Sequence, residues 1–494
     1  MISGIGTRSA LGVQSLVEMR RQLDELQRQL GTGKKSDTYA GIGLDRGLLV
    51  GLRNRISAID GYESTIGNIG VRIDLAQSAL GRFGDIGRTV KAAAFQSTEI
   101  ESNGTTIAQS TAYSSLGEIL GLLNTQIGDR YLFSGSGADQ PSVASLEHVM
   151  DGGGARAGFK QIVSERRQAD LGASGLGRVA ISAPTATSVQ IAEDVAGSPF
   201  GFKLSGVNSA LTNSTVAGPA GVPPAVSVDL TGLPNDGETV QFRFTLPDGT
   251  TETVTLTATS SATPGPNEFA IGTTAAATAA NMQAALTASV QKLASTSLTA
   301  ASAVVAADNF FNGTPQRVAG PPFNTATALV AGTPANTVSW YTGENGSTPA
   351  RATATARVDT SIAVSYGLRA NEDGIRWIVQ NVAALAAVTF SPTDPDATAR
   401  AGALHARVGV NLDVPPGTQK VEDIQAELAG AQATLQGAAD RHHQTKSALA
   451  GMMEQIEGVP TEEVAAMILA LQVRLQASLQ TTSLLYKTSL VNYI

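Results

Sequence analysis

The chain has 494 residues, a formal charge of −8, only 5% aromatic residues and no cysteine. Disulfides and thiolate metal sites are thereby excluded, and an acidic chain without a run of Lys and Arg is not suited to nucleic-acid phosphates. The length allows several domains, but Trp340 and Trp377 are the only tryptophans, too few for one large aromatic core.

The stretch MISGIGTRSALGVQSLVEM lacks a basic segment followed by a continuous apolar one, which argues against a Sec signal peptide. No uninterrupted apolar run reaches about 18 residues, so no membrane span is expected. Leu16, Met19, Leu23, Leu26 and Leu30 step by 3, 4, 3, 4, the spacing of a coiled-coil seam. They predict a helix over residues 12–30, stopped at Gly31-Thr32-Gly33 by two glycines with positive backbone dihedrals. A glycine-rich bend through Tyr39 to Gly47 follows.

From Leu48 to Val90 apolar residues recur every 3 or 4 positions, among them Ile59, Ile66, Ile73, Leu80, Phe83 and Ile86. At 1.5 Å per residue this second helix is about 65 Å long. Gly67, Gly70, Gly81, Gly84 and Gly87 interrupt it, each weakening it by roughly 1 kcal/mol against alanine, so its stability rests on neighbours. A third amphipathic helix is expected over residues 110–127, with Leu116, Ile119, Leu120, Leu123 and Ile127 on one face. It leads into Gly128-Asp129-Arg130-Tyr131-Leu132-Phe133-Ser134-Gly135, a helix end, a short strand and a turn.

Residues 186–335 are rich in Thr, Ala, Gly and Pro and read as a small inserted α+β domain. Val240, Phe242, Phe244 and Leu246 alternate, Asp248-Gly249 signals a tight turn, and Val254 and Leu256 alternate on return, which predicts a hairpin over residues 239–258. Met282, Leu286, Val290 and Leu293 predict a helix over residues 278–293. Beyond it, strands are expected over 337–341 and 350–364 and a short helix over 375–385. Two closing helices, 421–456 and 462–494, are divided at Gly458-Val459-Pro460. The first carries a second seam pattern: Val421, Ile424, Leu428, Ala431 and Leu435.

The expected fold is mainly α with an inserted α+β domain: an elongated antiparallel coiled-coil rod of N- and C-terminal helices with an outward β-rich variable domain. Residues 1–45 and 456–494 form the inner helical part, 46–185 and 336–455 the two halves of the rod, and 186–335 the insert.

Chemistry is sparse. His148, His405, His442 and His443 are scattered except for the last two, which point about 100° apart on a helix and cannot share a metal as an i,i+4 pair would. Gly31-Thr32-Gly33-Lys34-Lys35 and Gly135-Ser136-Gly137 match neither the Walker nor the dinucleotide spacing and read as a helix cap and a turn. No enzyme activity, metal or cofactor is expected. Leu484, Leu485, Tyr486, Leu490, Val491, Tyr493 and Ile494 are accompanied by a single charge, Lys487. Such a segment is an aggregation liability in a monomer, and burial against other subunits is its expected fate.

The helix ending Leu30-Gly31-Thr32-Gly33-Lys34-Lys35, the long helix after it, and a final helix bearing Leu475-Gln476-Ala477-Ser478 and Ser489-Leu490-Val491-Asn492-Tyr493-Ile494 carry a resemblance. Over roughly residues 1–140 and 340–494 the chain resembles bacterial flagellins and the related hook-filament junction proteins. The resemblance implies terminal helices stacked as the inner tubes of a filament, a surrounding helical domain with a β-hairpin, and a variable middle exposed outside. It further implies an extracellular flagellar protein, exported through the flagellum's own secretion apparatus. The implied partners are copies of itself, neighbouring flagellar axial proteins, an export chaperone and the export apparatus.

Where flagellins carry an Asn-x-x-x-Asp-Asp-Ala-Ala-Gly-like segment, this chain has Ser36-Asp37-Thr38-Tyr39-Ala40-Gly41-Ile42-Gly43. Arg130-Tyr131-Leu132-Phe133-Ser134-Gly135 and Trp340-Tyr341-Thr342-Gly343-Glu344-Asn345-Gly346 look more like junction proteins, while the large insert leans toward flagellins. A filament-forming flagellin is the first reading, with a hook-filament junction protein and a secreted coiled-coil adhesin as alternatives. The subunit-packing residues expected are Leu16, Leu23, Leu26, Ile66, Ile73, Leu471, Leu475 and Leu485. A structural subunit would tolerate deletion of residues 190–335, whereas an adhesin would lose its function.

Overall fold

The computed structural model describes residues 3–491, with side chains from Ala10 to Leu484 and at Lys487. Apolar residues at helical spacing form eleven helices among the described residues. They are α1 (Ser3–Thr32), α2 (Arg46–Ala94), α3 (Ile107–Leu123), α4 (Leu146–Asp151), α5 (Phe159–Leu171), α6 (Ala275–Leu293), α7 (Thr299–Phe311), α8 (Asp373–Ala387), α9 (Ala397–Asn411), α10 (Val421–Glu457) and α11 (Thr461–Val491). The chain is mixed, with long helices and small sheets. It divides into two compact units, one of residues 1–70, 356–364 and 433–494, the other of residues 71–355 and 365–432. No helix of the described residues is long and apolar enough to cross a membrane.

In the first unit α1 continues through Thr32, two residues past its expected end, and of its terminal glycines only Gly33 takes a positive φ, +69°. The early part of α2 lies antiparallel to the late part of α10. Leu52, Ile59 and Leu449 are buried between them, with Ile56, Met453 and Ile456 packed alongside. Lys446 reaches Asp60 at 2.5 Å and Glu63 at 2.9 Å. The His442 ring stacks on Tyr62 at 5.5 Å and donates Nε2–H to the Val358 carbonyl at 2.7 Å, docking the hairpin tip that joins Thr355–Arg357 to Ala363–Ser365. His442 is thus buried in a helix seam, whereas His443 is exposed.

In the second unit the later part of α2 again runs antiparallel to α10, with Gln432 donating to Asp74 at 2.7 Å and Gln77 to the Gln425 carbonyl at 2.8 Å. The row Val421, Ile424, Leu428 and Ala431 is buried throughout, as is Leu435, which falls in the first unit. Thr106 and Gln109 form a reciprocal capping box at the start of α3. The Gln109 amide also donates to the carbonyls of Leu385 and Val388 at the end of α8. α7 packs against α5, α8 and α9, and its Phe310 and Phe311 join Phe159 and Trp340 in an aromatic cluster.

The α+β part holds two four-stranded sheets. One runs in the order Val179–Ser182, Ser188–Glu193, Ala225–Leu230, Ser214–Ala220, antiparallel throughout. The other runs Glu268–Ala270, Thr251–Thr259, Thr239–Thr245, Lys203–Ser209, its first pair parallel. The hairpin expected from Asp248-Gly249 pairs Val240 with Leu256 and Phe242 with Val254, placing the alternating apolar side chains inward. α6 closes over the sheets, and one core extends from Val179 to Ala301. Residues 337–341 form no strand. They make single bridges, Ala157 to Thr337 and Val143 to Tyr341, because their partners belong to separate segments.

Candidate self-association surface

α1 packs along α11, and their direction follows from one local joint. Lys35 N–H donates to the Glu457 carbonyl at 2.7 Å, and Val459 N–H to the Gly33 carbonyl at 3.0 Å. One helix ends where the other begins, so the two run antiparallel. The joint is also ionic: the Glu457 side chain, 9% exposed, pairs with Arg53 and lies 3.7 Å from Lys34. At the same end the Arg28 guanidinium and the Gln29 amide both donate to the Lys35 carbonyl at 3.0 Å. Arg28 also hydrogen-bonds Glu25, holding that carboxyl below the usual carboxylate range. Pro460 precedes α11 and Glu462 and Glu463 occupy its first turn, where acidic groups favour the helix dipole.

On α1 the row Gly12, Leu16, Met19, Leu23 and Leu26 is half-buried. On α11 the matching row is Val464, Ile468, Leu471, Leu475, Ser478 and Thr482, stepping 4, 3, 4, 3, 4. Five expected packing residues, Leu16, Leu23, Leu26, Leu471 and Leu475, therefore lie on facing stripes of one helix pair. Ile66, half-buried, and Ile73, 1% exposed, lie instead on α2, in the first and second units respectively. Leu485 falls outside the described side chains.

A further stripe was not legible from the seam spacing. Leu469, Val473 and Leu484 are 64%, 65% and 61% exposed. At 100° per residue they fall within about 60° of one another, roughly opposite the row that meets α1. On α1, Val13 and Val17, one turn apart, are also exposed. The signal that could have revealed the stripe is charge: between Glu463 and Lys487 the only charged residue is Arg474. More than half of the large exposed apolar side chains among the described residues lie in this first unit, which holds under a third of the chain. Gln476 and Gln480 fall on the same side between Val473 and Leu484, so α11 carries, beyond the row that meets α1, a mixed face with exposed apolar residues.

In the second unit, two stretches far apart in sequence meet. Ala144 N–H donates to the Trp340 carbonyl, Thr342 N–H to Ser142 and Glu344 N–H to Ser134, each at 2.9 Å. Thus residues 130–135 and 340–346 share one node. The Trp340 indole donates to the Phe311 carbonyl at 2.9 Å, and burial pushes the Tyr341 phenol well above its ordinary pKa.

His405 is 1% exposed, with Nε2 3.0 Å from the Thr106 hydroxyl, and burial lowers its pKa. Among the described residues no group of three or more His, Asp or Glu is placed to hold a metal ion. No family model matches the chain, and no curated protein matches it.

Proposed function

We propose that the protein is a structural subunit of the flagellin family that polymerises into the flagellar filament, its terminal helices packing against those of other copies. The carrying observation is that Leu469 and Val473 stand exposed, one turn apart, on the side of α11 opposite the row that faces α1. Covering a Leu or Val side chain is worth about 1.5–3 kcal/mol when complete, so a few such residues per subunit, repeated around a lattice, provide a substantial drive to assemble. The motif order at both ends of the chain gives the family its support. In this reading the α1–α11 and α2–α10 pairs form a coiled-coil rod, the α+β part faces outward, and the subunit reaches the cell exterior through the flagellar export apparatus with a dedicated chaperone. Its partners are its own copies and the neighbouring axial proteins.

A second reading, a hook-filament junction protein, is favoured by the node that joins residues 130–135 to 340–346, the two stretches that resemble such proteins. Negative-stain electron microscopy of the purified protein seeded with sheared flagellar ends separates the two. Long filaments are expected; binding at hook tips without elongation supports the junction protein, and no association overturns both readings.

A further inference from the structure

Three Asn-Gly pairs occur in the chain: Asn103-Gly104, Asn312-Gly313 and Asn345-Gly346. Asparagine before glycine can close on itself, because glycine carries no Cβ to hinder attack by its own nitrogen on the asparagine amide. The fold treats the three pairs differently. At the first, Gly104 N–H is committed to the neutral Glu101 carbonyl at 2.9 Å. The Asn103 Oδ1 there accepts from the Thr105 N–H and hydroxyl at 3.0 and 2.8 Å, but the Glu101 carboxylate lies 3.5 Å from the Asn103 amide rather than at the Gly104 nitrogen. At the second, the Asn312 amide leans on the Asp308 carboxylate at 3.4 Å, and that carboxylate lies on the preceding helical turn rather than at the Gly313 nitrogen.

The third pair stands in the node described above. Gly346 N–H donates to Glu344 Oε1, a carboxylate so close that a Cβ at position 346 would collide with it. The other oxygen of Glu344 is held by Arg369, which also donates to the Gly346 carbonyl at 3.0 Å. The Glu344 backbone is anchored on both sides, by its N–H to Ser134 at 2.9 Å and by its carbonyl to the Tyr341 hydroxyl at 2.8 Å. The Asn345 Oδ1 accepts from the Asn371 amide at 2.9 Å. Asn345 itself is exposed to water.

We propose that Asn345 is a self-modification site, at which the fold promotes deamidation through a cyclic imide. The Gly346 nitrogen attacks Cγ of Asn345 while its proton passes to the Glu344 carboxylate. The developing negative charge on Oδ1 is met by the Asn371 N–H, a donor already in place. The Cγ–Nδ2 bond breaks, the leaving nitrogen takes up the proton and departs as ammonia, and water opens the ring at either carbonyl to leave aspartate or isoaspartate. Each turnover thus consumes one water and releases one ammonia. The product places a new carboxylate, or an extended backbone, beside the Glu344–Arg369 pair.

The test incubates the purified full-length protein at mildly alkaline pH and follows each Asn-Gly peptide by mass spectrometry, with Asn103 and Asn312 as clocks in the same molecule. Asn345 is expected to react on the order of tenfold faster than Asn312, a modest share of what positioned acid–base groups supply. That advantage is expected to vanish in urea and in E344Q, and to shrink in N371A. Asn345 reacting no faster than Asn312 in the native protein overturns the proposal without need of any variant. An advantage that survives in urea overturns it as well, since sequence alone would then account for it.

Discussion

The carbonyl of Gly33 accepts a 3.0 Å hydrogen bond from the backbone of Val459, joining the end of α1 to the start of α11. Glu457, two residues before Val459, is 9% exposed and held between Arg53 and Lys34. Replacing it with alanine leaves two cations without their counter-charge. Because those partners are 40% and 51% exposed, solvent screens much of the effect, and the expected loss is about 1 kcal/mol. Urea denaturation of E457A against the parent, at matched slope, measures it.

Val473 and Leu475, two residues apart, lie on opposite faces of α11. V473D places a charge on the open face, so the free subunit is expected to keep its melting temperature but fail to extend seeded filaments. L475D puts a charge into the row facing α1 and is expected to destabilise the helix pair by about 1–3 kcal/mol. Melting curves and electron microscopy on both variants check the contrast. A V473D protein that elongates normally removes the open face from the assembly surface.

His405 sets a pH dependence. Burial lowers its pKa below the unfolded value, near 6.5. Its stabilising contribution is therefore complete above that pH and declines as pH falls through 6.5, where the unfolded chain takes up the proton first. H405Q, which keeps a hydrogen-bonding group for Thr106, is expected to flatten the decline. Thermal melts at half-unit intervals between pH 7.5 and 5 read it out.

Arg407 on α9 reaches the hairpin turn, lying 3.0 Å from Asp248 and 3.2 Å from Glu252. Asp248 is only 7% exposed, so R407A strands a mostly buried carboxylate at an expected cost of about 1–3 kcal/mol. Amide exchange is expected to quicken over Thr239–Thr245 and Thr251–Thr259 while α10 stays protected.

Legibility followed the strength of local pattern. The long helices α2 and α10 and the hairpin around Asp248-Gly249 were readable because period and turn chemistry agree there. α7, Thr-Ala-Ala-Ser-Ala-Val-Val-Ala-Ala-Asp-Asn-Phe-Phe, was not, since alanine makes nearly every face alike. That matters for the insert: deletion of residues 190–335, expected to be tolerated, removes α7 and strips Phe310 and Phe311 from Phe159 and Trp340. Such a deletion is expected to unfold the helical body rather than trim an appendage. Residues 337–341 misled because alternation around Trp340 resembles a strand, whereas their backbone partners come from remote loops. Of the candidate surface, the seam rows were visible as heptads, while the open stripe needed knowledge of which face α1 occupies.

The seam between α1 and α11 is not uniform along its length. Near Gly33 and Val459 it is lined by Leu23, Leu26, Val464 and Ile468, but toward the opposite end Gly12 meets the level of Ser478 and Thr482. Within the described seam the opening free energy is therefore expected to be graded, smaller at the level of Gly12 and larger at the joint. Along the described seam the pair is expected to loosen first at the level of Gly12 and to hold longest at the clasp of Glu457, so that it opens as a zip with its stop at one end.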